Sequence, residues 1–436
     1  MNFLRISTLI PLLCIAFGFR PFGLTLIYIY AFCSFFQLFL RFGLKPFLDC
    51  STFSFCAFSI IGVVLVQSFV NFSVSLVLLV YYLPFMFLPY FHFSFKYNIL
   101  KSSIFTVKNF TLFVPTVAAL QLFFQFLQFF SKVYNFDISN LNNLLIPVLD
   151  FDNSVFMVAG LSMMRFSGIF NQPLDCGLFW YSVFLFSIFS SVNIPLVDLK
   201  PFNSQTRVGV HRRLTFVFLI LSCIFGCLLC GSKVILLFIP FIILLILKFL
   251  SKYLNKPTFS FLPSLFVFLS LFLIQIILQY ILPLLSLVNP LVSKFSDAES
   301  FVSIDTLTAR RISNLDNIFE IDYSDNLYSL FGIGYGDIIY DNGYMYTIAH
   351  IGIAGLFLVI TFFAIAFLAK TSHFSLSSPF SSYGYLFWLR IISLVSSLFL
   401  LIGGSVLTLH KASVFFLVVI CFIHATSTFS NASNKA

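Results

Sequence analysis

The chain has 436 residues, of which 60% are hydrophobic and 9% are charged, and its formal net charge is +9. Soluble domains carry about 25% charged residues, so this composition excludes a soluble globular protein and predicts an integral membrane protein. The basic residues lie in short clusters between apolar runs and form no basic stripe with interleaved aromatic residues, which excludes a nucleic-acid-binding protein. The 65 Phe residues are interpreted as lipid-facing side chains.

Apolar segments follow one another along the chain, and each is long enough to cross the hydrocarbon core of a bilayer as a helix. These segments are residues 3–19, 22–40, 52–70, 72–92, 105–130, 175–194, 214–230, 232–250, 260–284, 345–369, 383–402 and 406–426. We therefore expect an all-α integral membrane protein with about 12 transmembrane helices. It would fold as a single polytopic membrane domain over residues 1–436.

The orientation of these spans follows from the distribution of Lys and Arg, which concentrate on the cytoplasmic side of membrane proteins. Alternate connections contain Arg41, Lys45, Lys96, Lys101, Lys108, Lys200, Arg207, Arg212, Arg213, Lys248, Lys252, Lys256 and Lys370. Thirteen of the fifteen acidic residues fall on the opposite side, and the two exceptions are Asp49 and Asp198. The sequence therefore predicts that both termini are cytoplasmic.

Two connections on the predicted outer side are long, and long loops in compact proteins are usually functional or disordered. The first covers residues 131–174, and the second, larger one covers residues 289–346. Neither loop is rich in Gly, Ser or Pro, so disorder is the weaker interpretation. We expect these two loops to carry the function.

The first loop contains Arg165, about ten residues before the sixth span. One interpretation is that the arginine anchors the helix end at the membrane interface. The other is that it faces a cavity and binds an anion such as phosphate in a bidentate manner. Pro173 then predicts the start of the sixth helix, because proline is favoured at the first helical position.

The second loop contains two adjacent arginines, Arg310 and Arg311. They could pair with nearby acidic residues, but exposed ion pairs contribute only about 0–1 kcal/mol, so phosphate binding is at least as good an explanation. The glycines at Gly332, Gly334 and Gly336 predict a tight backbone turn. Asp341 is either the N-cap of the tenth span or a carboxylate that accepts a proton from a sugar hydroxyl.

Several ionisable residues lie within or at the ends of the predicted spans. His350 and Arg390 are inside apolar segments, where ionisable groups are candidates for function by default. Lys233 and Lys411 lie at outer helix ends, where they either add positive potential or extend to the interface. The chain contains no nucleotide-binding motif and no group of residues with metal-ligand spacing, so we expect neither a cofactor nor a metal.

Five of these elements occur in an order that resembles the Wzy O-antigen polymerase and O-antigen ligase superfamily. The elements are Arg165-x-Ser-Gly-x-Phe, Gly231-Ser232-Lys233, Arg310-Arg311, Gly332-x-Gly334-x-Gly336, and Asp341-Asn342-Gly343-Tyr344 followed by His350. The resemblance covers about residues 155–360 and the overall topology. The ligase branch typically has His-Asn where this chain has Asp341-Asn342, and the form found here is more similar to the polymerase branch.

The resemblance implies an integral membrane glycosyltransferase of the C-type class. Such an enzyme joins oligosaccharide repeat units carried on undecaprenyl pyrophosphate, with inversion at the anomeric carbon and without a metal. It acts at the periplasmic face of the bacterial inner membrane and makes O-antigen or capsular polysaccharide. The implied partners are the lipid-linked glycan, membrane lipid, a polysaccharide chain-length regulator and the flippase.

The resemblance also implies roles for individual residues. Arg165 and Arg311 would hold the pyrophosphate, since arginines can stabilise the charge of the leaving group where no metal does so, and Asp341 would orient or deprotonate the acceptor hydroxyl. The remaining substrate-binding residues would be Arg310, Asn342, Gly334, Tyr344, His350 and Lys233.

Two other functions remain open at this point. An O-antigen ligase would transfer finished chains to the lipid A core, but Asp341 argues against it. A lipid-linked oligosaccharide flippase also has about twelve spans, but transporters need polar groups along an internal pathway and are usually built from repeats. This chain concentrates its acidic residues in the outer loops and shows no internal repeat.

Overall fold

The structure is a computed structural model, in which part of the chain is described. The described residues are 6–18, 25–49, 51–70, 75–100, 103–145, 161, 164–170, 172–193, 207–254, 330–332, 343–368, 382–402, 407 and 410–427. The predicted span 260–284 and most of the loop 289–346 lie outside these residues. All statements below refer to the described part of the chain.

Every regular element in the described residues is helical, and none of these residues is in a strand. The α-helices are α1 (Ile6–Ala16), α2 (Leu26–Phe42), α3 (Lys45–Asp49), α4 (Ser51–Val70), α5 (Ser75–Tyr97), α6 (Val107–Tyr134), α7 (Ser139–Leu145), α8 (Pro173–Asn193), α9 (Arg207–Cys230), α10 (Ile239–Leu254), α11 (Gly343–Leu368), α12 (Ser382–Ile402) and α13 (His410–Thr426). A 3-10 segment (Lys233–Phe238) precedes α10. The predicted all-α class is confirmed.

Four of these helices are long and apolar enough to cross a membrane, which identifies a membrane-embedded protein. Their apolar stretches are Thr52–Phe69, Val107–Tyr134, Pro173–Ser191 and Tyr346–Leu368. Each predicted apolar segment other than 260–284 overlaps a described helix. The number of spans and their orientation stay predictions.

The centre of the bundle is formed by α8 and α13, which pack against each other. Of the apolar stretch of α8, 83% is buried within the protein, and residues 411–427 of α13 and its C-terminal end are buried throughout. A helix that is apolar on all sides is expected in such a central position.

Aromatic packing in this core corrects one expectation. Phe110, Phe186 and Phe422 lie with ring centroids 5.1–5.5 Å apart, and Phe53 and Phe85 are also fully buried. The interpretation of the Phe residues as lipid-facing was therefore wrong for a large group of them. Burial of an aromatic ring between helices replaces lipid contacts by close-packed protein contacts, and a hydropathy pattern does not distinguish the two environments.

Helix α6 has 28 residues, so it is about 42 Å long and exceeds the hydrocarbon thickness of about 30 Å. It begins after Thr106, whose side chain accepts a hydrogen bond from the backbone N–H of Asn109 at 3.3 Å. It ends at Asn135, which adopts the left-handed conformation with φ of 53°. Helix α8 starts at Pro173, as predicted.

Candidate functional site

The loop of residues 164–170 contains Arg165 and lies inside the bundle. Phe166, Ile169 and Phe170 are fully buried, and Ser167 is 3% exposed. The loop lies beside α6 at a level that reaches the helix midpoint, because it bonds to Gln121, the fifteenth of the 28 residues of α6. Irregular backbone at this depth needs protein partners for its N–H and C=O groups, since lipid offers none.

Three glutamines of α6 supply those partners. Gln121, Gln125 and Gln128 are at most 2% exposed, and their spacing of four and three residues places them on one face of the helix. Gln121 donates to the carbonyl of Ser167 and accepts from the N–H of Ile169, both at 2.8 Å. We call these three residues the glutamine ladder.

The other two members of the glutamine ladder bond to the same loop. Gln128 accepts from the backbone N–H of Gly168 at 2.8 Å and donates to its carbonyl at 3.2 Å. Gln125 donates to the carbonyl of Phe166 at 2.8 Å. Five backbone groups of the loop are thus bonded to amide side chains, which fixes the conformation of the loop.

Gly168 is required where the loop meets the ladder. Its φ is +64°, a region that side-chain-bearing residues rarely adopt. A Cβ atom at this position would also collide with the amide group of Gln121. The glycine therefore allows both the backbone turn and the close approach of the glutamine.

Gln125 also links the loop to two further helices. Its amide donates to the carbonyl of Gly226 in α9 at 3.0 Å, and its side-chain oxygen accepts from the indole N–H of Trp180 in α8 at 3.1 Å. Gln125 and Trp180 are both fully buried. One side chain therefore connects α6, α8, α9 and the loop, so that the position of Arg165 is set by the packing of three helices.

The guanidinium of Arg165 lies at the C-terminal end of α9. Its Nε donates to the carbonyl of Cys230 at 3.2 Å, and its Nη2 donates to the carbonyl of Gly231 at 3.3 Å. The backbone N–H of Phe166 donates to the carbonyl of Leu229 at 2.9 Å. A cation is favourable at this end because the last helical carbonyls carry partial negative charge.

This geometry bears on the two interpretations of Arg165. The side chain is partly exposed, and its Nε–Nη2 edge is directed at backbone carbonyls. It is thus held by the protein and does not simply extend to the interface.

Lys411 differs from both sequence interpretations, because its side chain is only 2% exposed. Its ammonium donates to the carbonyls of Ala16 and Leu145, both at 3.3 Å, and to that of Ile169 at 3.2 Å. Ala16 and Leu145 are the last residues of α1 and α7. The three donors of the ammonium therefore stabilise two helix ends and the 164–170 loop.

A second polar group surrounds His350 in α11. This helix is broken at Gly352, which has a φ of +69°, and the backbone of residues 330–332 crosses it there. A Cβ atom on Gly332 would lie 2.6 Å from the backbone of both His350 and Gly352. The start of the predicted glycine turn is therefore in direct backbone contact with the helix that carries His350.

Side chains from α4 and α11 complete this second group. Gln67 donates to the carbonyl of Gly332 at 2.8 Å and is only 1% exposed. His350 is 2% exposed, and its ring lies 3.7 Å from the ring of Tyr346. The hydroxyl of Tyr344 donates to the carbonyl of Leu398 in α12 at 2.7 Å, so this predicted substrate-binding residue also ties α11 to α12.

The structure describes some of the predicted site residues and not others. Arg310, Arg311, Gly334, Asp341 and Asn342 lie outside the described residues.

Lys233 is the first residue of the 3-10 segment. It follows the carbonyl of Gly231, to which Arg165 is bonded, by two residues. Arg165 and Lys233 thus belong to one end of α9, whereas Tyr344 and His350 belong to α11.

Sequence reasoning missed the glutamine ladder and the role of Lys411. The available signal was the spacing of Gln121, Gln125 and Gln128, which places three amides on one face of an otherwise apolar helix. Polar side chains in such a position commonly bond across helices. Which partner they bond to depends on the fold, and for this reason the spacing alone predicts a contact but not the loop.

Comparison of the chain with models of known protein families, with curated proteins and with solved structures found no match. Among the residues that the structure describes, no three His, Cys, Asp or Glu side chains are grouped as metal ligands would be. Of the predicted site residues, Arg165 is the described one that carries a guanidinium. A functional assignment therefore depends on this geometry and on the order of the sequence elements.

Proposed function

We propose that the chain is a membrane glycosyltransferase that polymerises undecaprenyl-pyrophosphate-linked oligosaccharide repeat units into O-antigen or capsular polysaccharide. It would act at the periplasmic face of the bacterial inner membrane, with both termini in the cytoplasm. The observation that carries the proposal is the buried 164–170 loop, which holds a partly exposed Arg165 in a fixed position at the end of α9. The order of the sequence elements supplies the reaction class.

In the proposed reaction, a hydroxyl oxygen of the acceptor sugar attacks the anomeric carbon of the donor. The bond between that carbon and the pyrophosphate oxygen breaks, and the configuration is inverted. The hydroxyl proton passes to the carboxylate of Asp341, and undecaprenyl pyrophosphate leaves with the bonding electron pair. Arg165 and Arg311, together with Arg310, stabilise the negative charge that develops on the pyrophosphate.

The glutamine ladder contributes preorganisation to this reaction. A donor group stabilises a transition state best when it does not have to move as charge develops. The loop that carries Arg165 is bonded to Gln121, Gln125 and Gln128 and to Lys411. The arginine would therefore already be ordered in the folded protein, so substrate binding would not have to supply the free energy of ordering it.

A lipid-linked oligosaccharide flippase is the second candidate, and one observation favours it. Transporters often contain broken helices that line a binding site within the membrane. Helix α11 is broken at Gly352, and Gln67, Tyr82 and His350 are buried on or near this break. A permeation pathway through this region would use those polar side chains.

Deletion of the gene followed by electrophoresis of the surface glycan separates these functions. Loss of a polymerase leaves single repeat units on the lipid core, whereas loss of a flippase leaves none, and loss of a ligase also leaves none. Single repeat units are the expected result. A core without any repeat unit would contradict polymerisation. Purified protein that extends lipid-linked repeat units in detergent would then exclude a pure transporter.

A further inference from the structure

Arg390 is a buried cation that the proposed reaction does not use. It is the ninth residue of α12 and is 4% exposed. Its Nε is enclosed and has no hydrogen-bond partner among the residues that the structure describes. By contrast, Lys96 pairs with Asp49 at 2.7 Å, and Lys411 donates to three carbonyls. Among the described residues, no carboxylate and no carbonyl is bonded to the Arg390 guanidinium.

A guanidinium in this position needs an anion. Arginine stays protonated in proteins, so it cannot escape burial by losing its charge. An ion that is taken out of water without a counter-charge is strongly unfavourable, and buried charges are paired as a rule. Leu389 and Ile392, which flank Arg390 in the helix, are buried and apolar. The structure therefore contains an anion-binding position whose partner is not among the described protein groups.

The level of Arg390 in the membrane indicates what kind of anion can reach it. Its Cα lies eight residues after Ser382, so about 12 Å along the axis from the start of α12. Side chains on a helix point back towards its N-terminus, which brings the guanidinium closer to that end. Tyr385 and Trp388 lie between Ser382 and Arg390, and Tyr and Trp are enriched at the level of lipid headgroups.

We propose that Arg390 binds the phosphate group of a membrane lipid at the N-terminal end of α12. The phosphate supplies the missing counter-charge, and the planar guanidinium can bond two of its oxygens. Helices α10 and α11 pack against α12, so the headgroup would lie against their ends while the acyl or prenyl chain lies along the bundle surface. The lipid is either a bilayer phospholipid or a polyprenyl phosphate, which share this chemistry.

The far side of Arg390 is closed by protein. One turn further along α12, the hydroxyl of Ser393 donates to the carbonyl of Leu389 at 2.7 Å. Beyond it, the hydroxyl of Tyr181 in α8 bonds to the hydroxyls of Ser396 and Ser397 at 2.6 Å and 3.0 Å. These hydroxyls are already hydrogen-bonded within the protein. They lie further along α12 and so separate Arg390 from the opposite half of the bundle. The phosphate would therefore enter from the side of Ser382.

The test uses the full-length protein in a maltoside detergent, which contains no phosphate, after exhaustive removal of lipid. Thermal unfolding is followed with added phosphatidylglycerol, polyprenyl phosphate or inorganic phosphate. Diacylglycerol and polyprenol are the matched probes without phosphate. A ligand that binds only the folded state raises the unfolding midpoint as its concentration increases. We expect phosphatidylglycerol or polyprenyl phosphate to do so, and the probes without phosphate to have a smaller effect.

Two variants connect this effect to the side chain. In Arg390→Gln, the apparent affinity for the effective lipid should fall about tenfold or more, because a charge-assisted contact is lost. Arg41→Gln is the matched control, since Arg41 is an exposed arginine at the end of α2, and it should bind like the parent protein. The lipid that acts identifies the source of the phosphate, and an effect of inorganic phosphate alone would show that the headgroup suffices.

A third variant separates ligand binding from a structural role. Arg390→Met removes the charge and keeps most of the side-chain volume, so in lipid-free detergent it should unfold at a higher temperature than the parent protein. A lower midpoint would mean that the arginine has a protein partner, and it would overturn the proposal. Equal stabilisation by diacylglycerol and phosphatidylglycerol, or an unchanged affinity in Arg390→Gln, would also overturn it. None of these measurements depends on glycosyltransferase activity.

Discussion

Replacement of Gln125 by leucine is the sharpest test of the glutamine ladder. The variant keeps the side-chain size but removes three hydrogen bonds, to the carbonyl of Phe166, to the carbonyl of Gly226 and from the indole of Trp180, together with a weaker contact to the Cys176 sulfur. All three partners are in the protein interior, where water cannot replace the glutamine. The loop should therefore lose its fixed position beside α6.

The size of the effect can be bounded from these contacts. Hydrogen bonds between membrane helices contribute about 0.6 kcal/mol each on average, so three of them give roughly 2 kcal/mol. The carbonyl of Phe166 and the indole N–H of Trp180 are left without their glutamine partner, and an unsatisfied buried group costs about 1–3 kcal/mol. The first figure is a lower bound and two unsatisfied groups set the upper one, so we expect Gln125→Leu to lower the free energy of unfolding by roughly 2–6 kcal/mol.

The assay is reversible unfolding of the purified protein by a denaturing detergent, together with polymer length on lipid-linked repeat units. Thr116→Val is the control on the same helix, because the Thr116 hydroxyl donates to the carbonyl of Leu112 within α6. This variant should change the unfolding free energy by less than about 0.5 kcal/mol. Polymerisation should fall in Gln125→Leu at temperatures where the protein is still folded. Equal unfolding of the two variants would refute the assignment of the ladder as the support of the Arg165 loop.

The remaining predictions concern the proposed chemistry, the buried Lys411 and the topology. Arg165→Ala should abolish polymerisation at normal protein levels, and Arg165→Lys should rescue it poorly because a point charge does not reproduce the planar fork; full activity of the lysine variant would make Arg165 purely structural. Asp341→Asn should stop chain growth if the carboxylate accepts the proton, whereas long polymer from this variant would leave only the N-cap role, for which Asn is equally good. Lys411→Met should lower the unfolding temperature, since three carbonyls lose their donor; an unchanged temperature would argue against a stabilising role of these bonds. Reporter fusions should place Lys252 in the cytoplasm and Asn142 in the periplasm, and the same compartment for both would overturn the orientation.

The sequence alone determined the class of the protein and the approximate positions of the apolar helices that the structure describes. Hydropathy is a property of a short stretch of chain, and the energy of placing that stretch in lipid depends little on the rest of the molecule. The start of α8 at Pro173 was predicted for the same reason, because proline acts on its own backbone and on its immediate neighbours. The sequence also identified Arg165 as either an interface anchor or an anion-binding residue.

The tertiary structure decided what surrounds these residues. From the sequence, 164–170 was predicted to belong to an outer loop and Lys411 to be a basic residue at a helix end. In the fold, Gln121, Gln125 and Gln128 satisfy the backbone of that loop within the bundle, and Lys411 bonds residues 242 to 395 positions away. Hydrogen bonds between such distant segments depend on how the helices pack, and helix packing is not encoded in the hydropathy of any single segment.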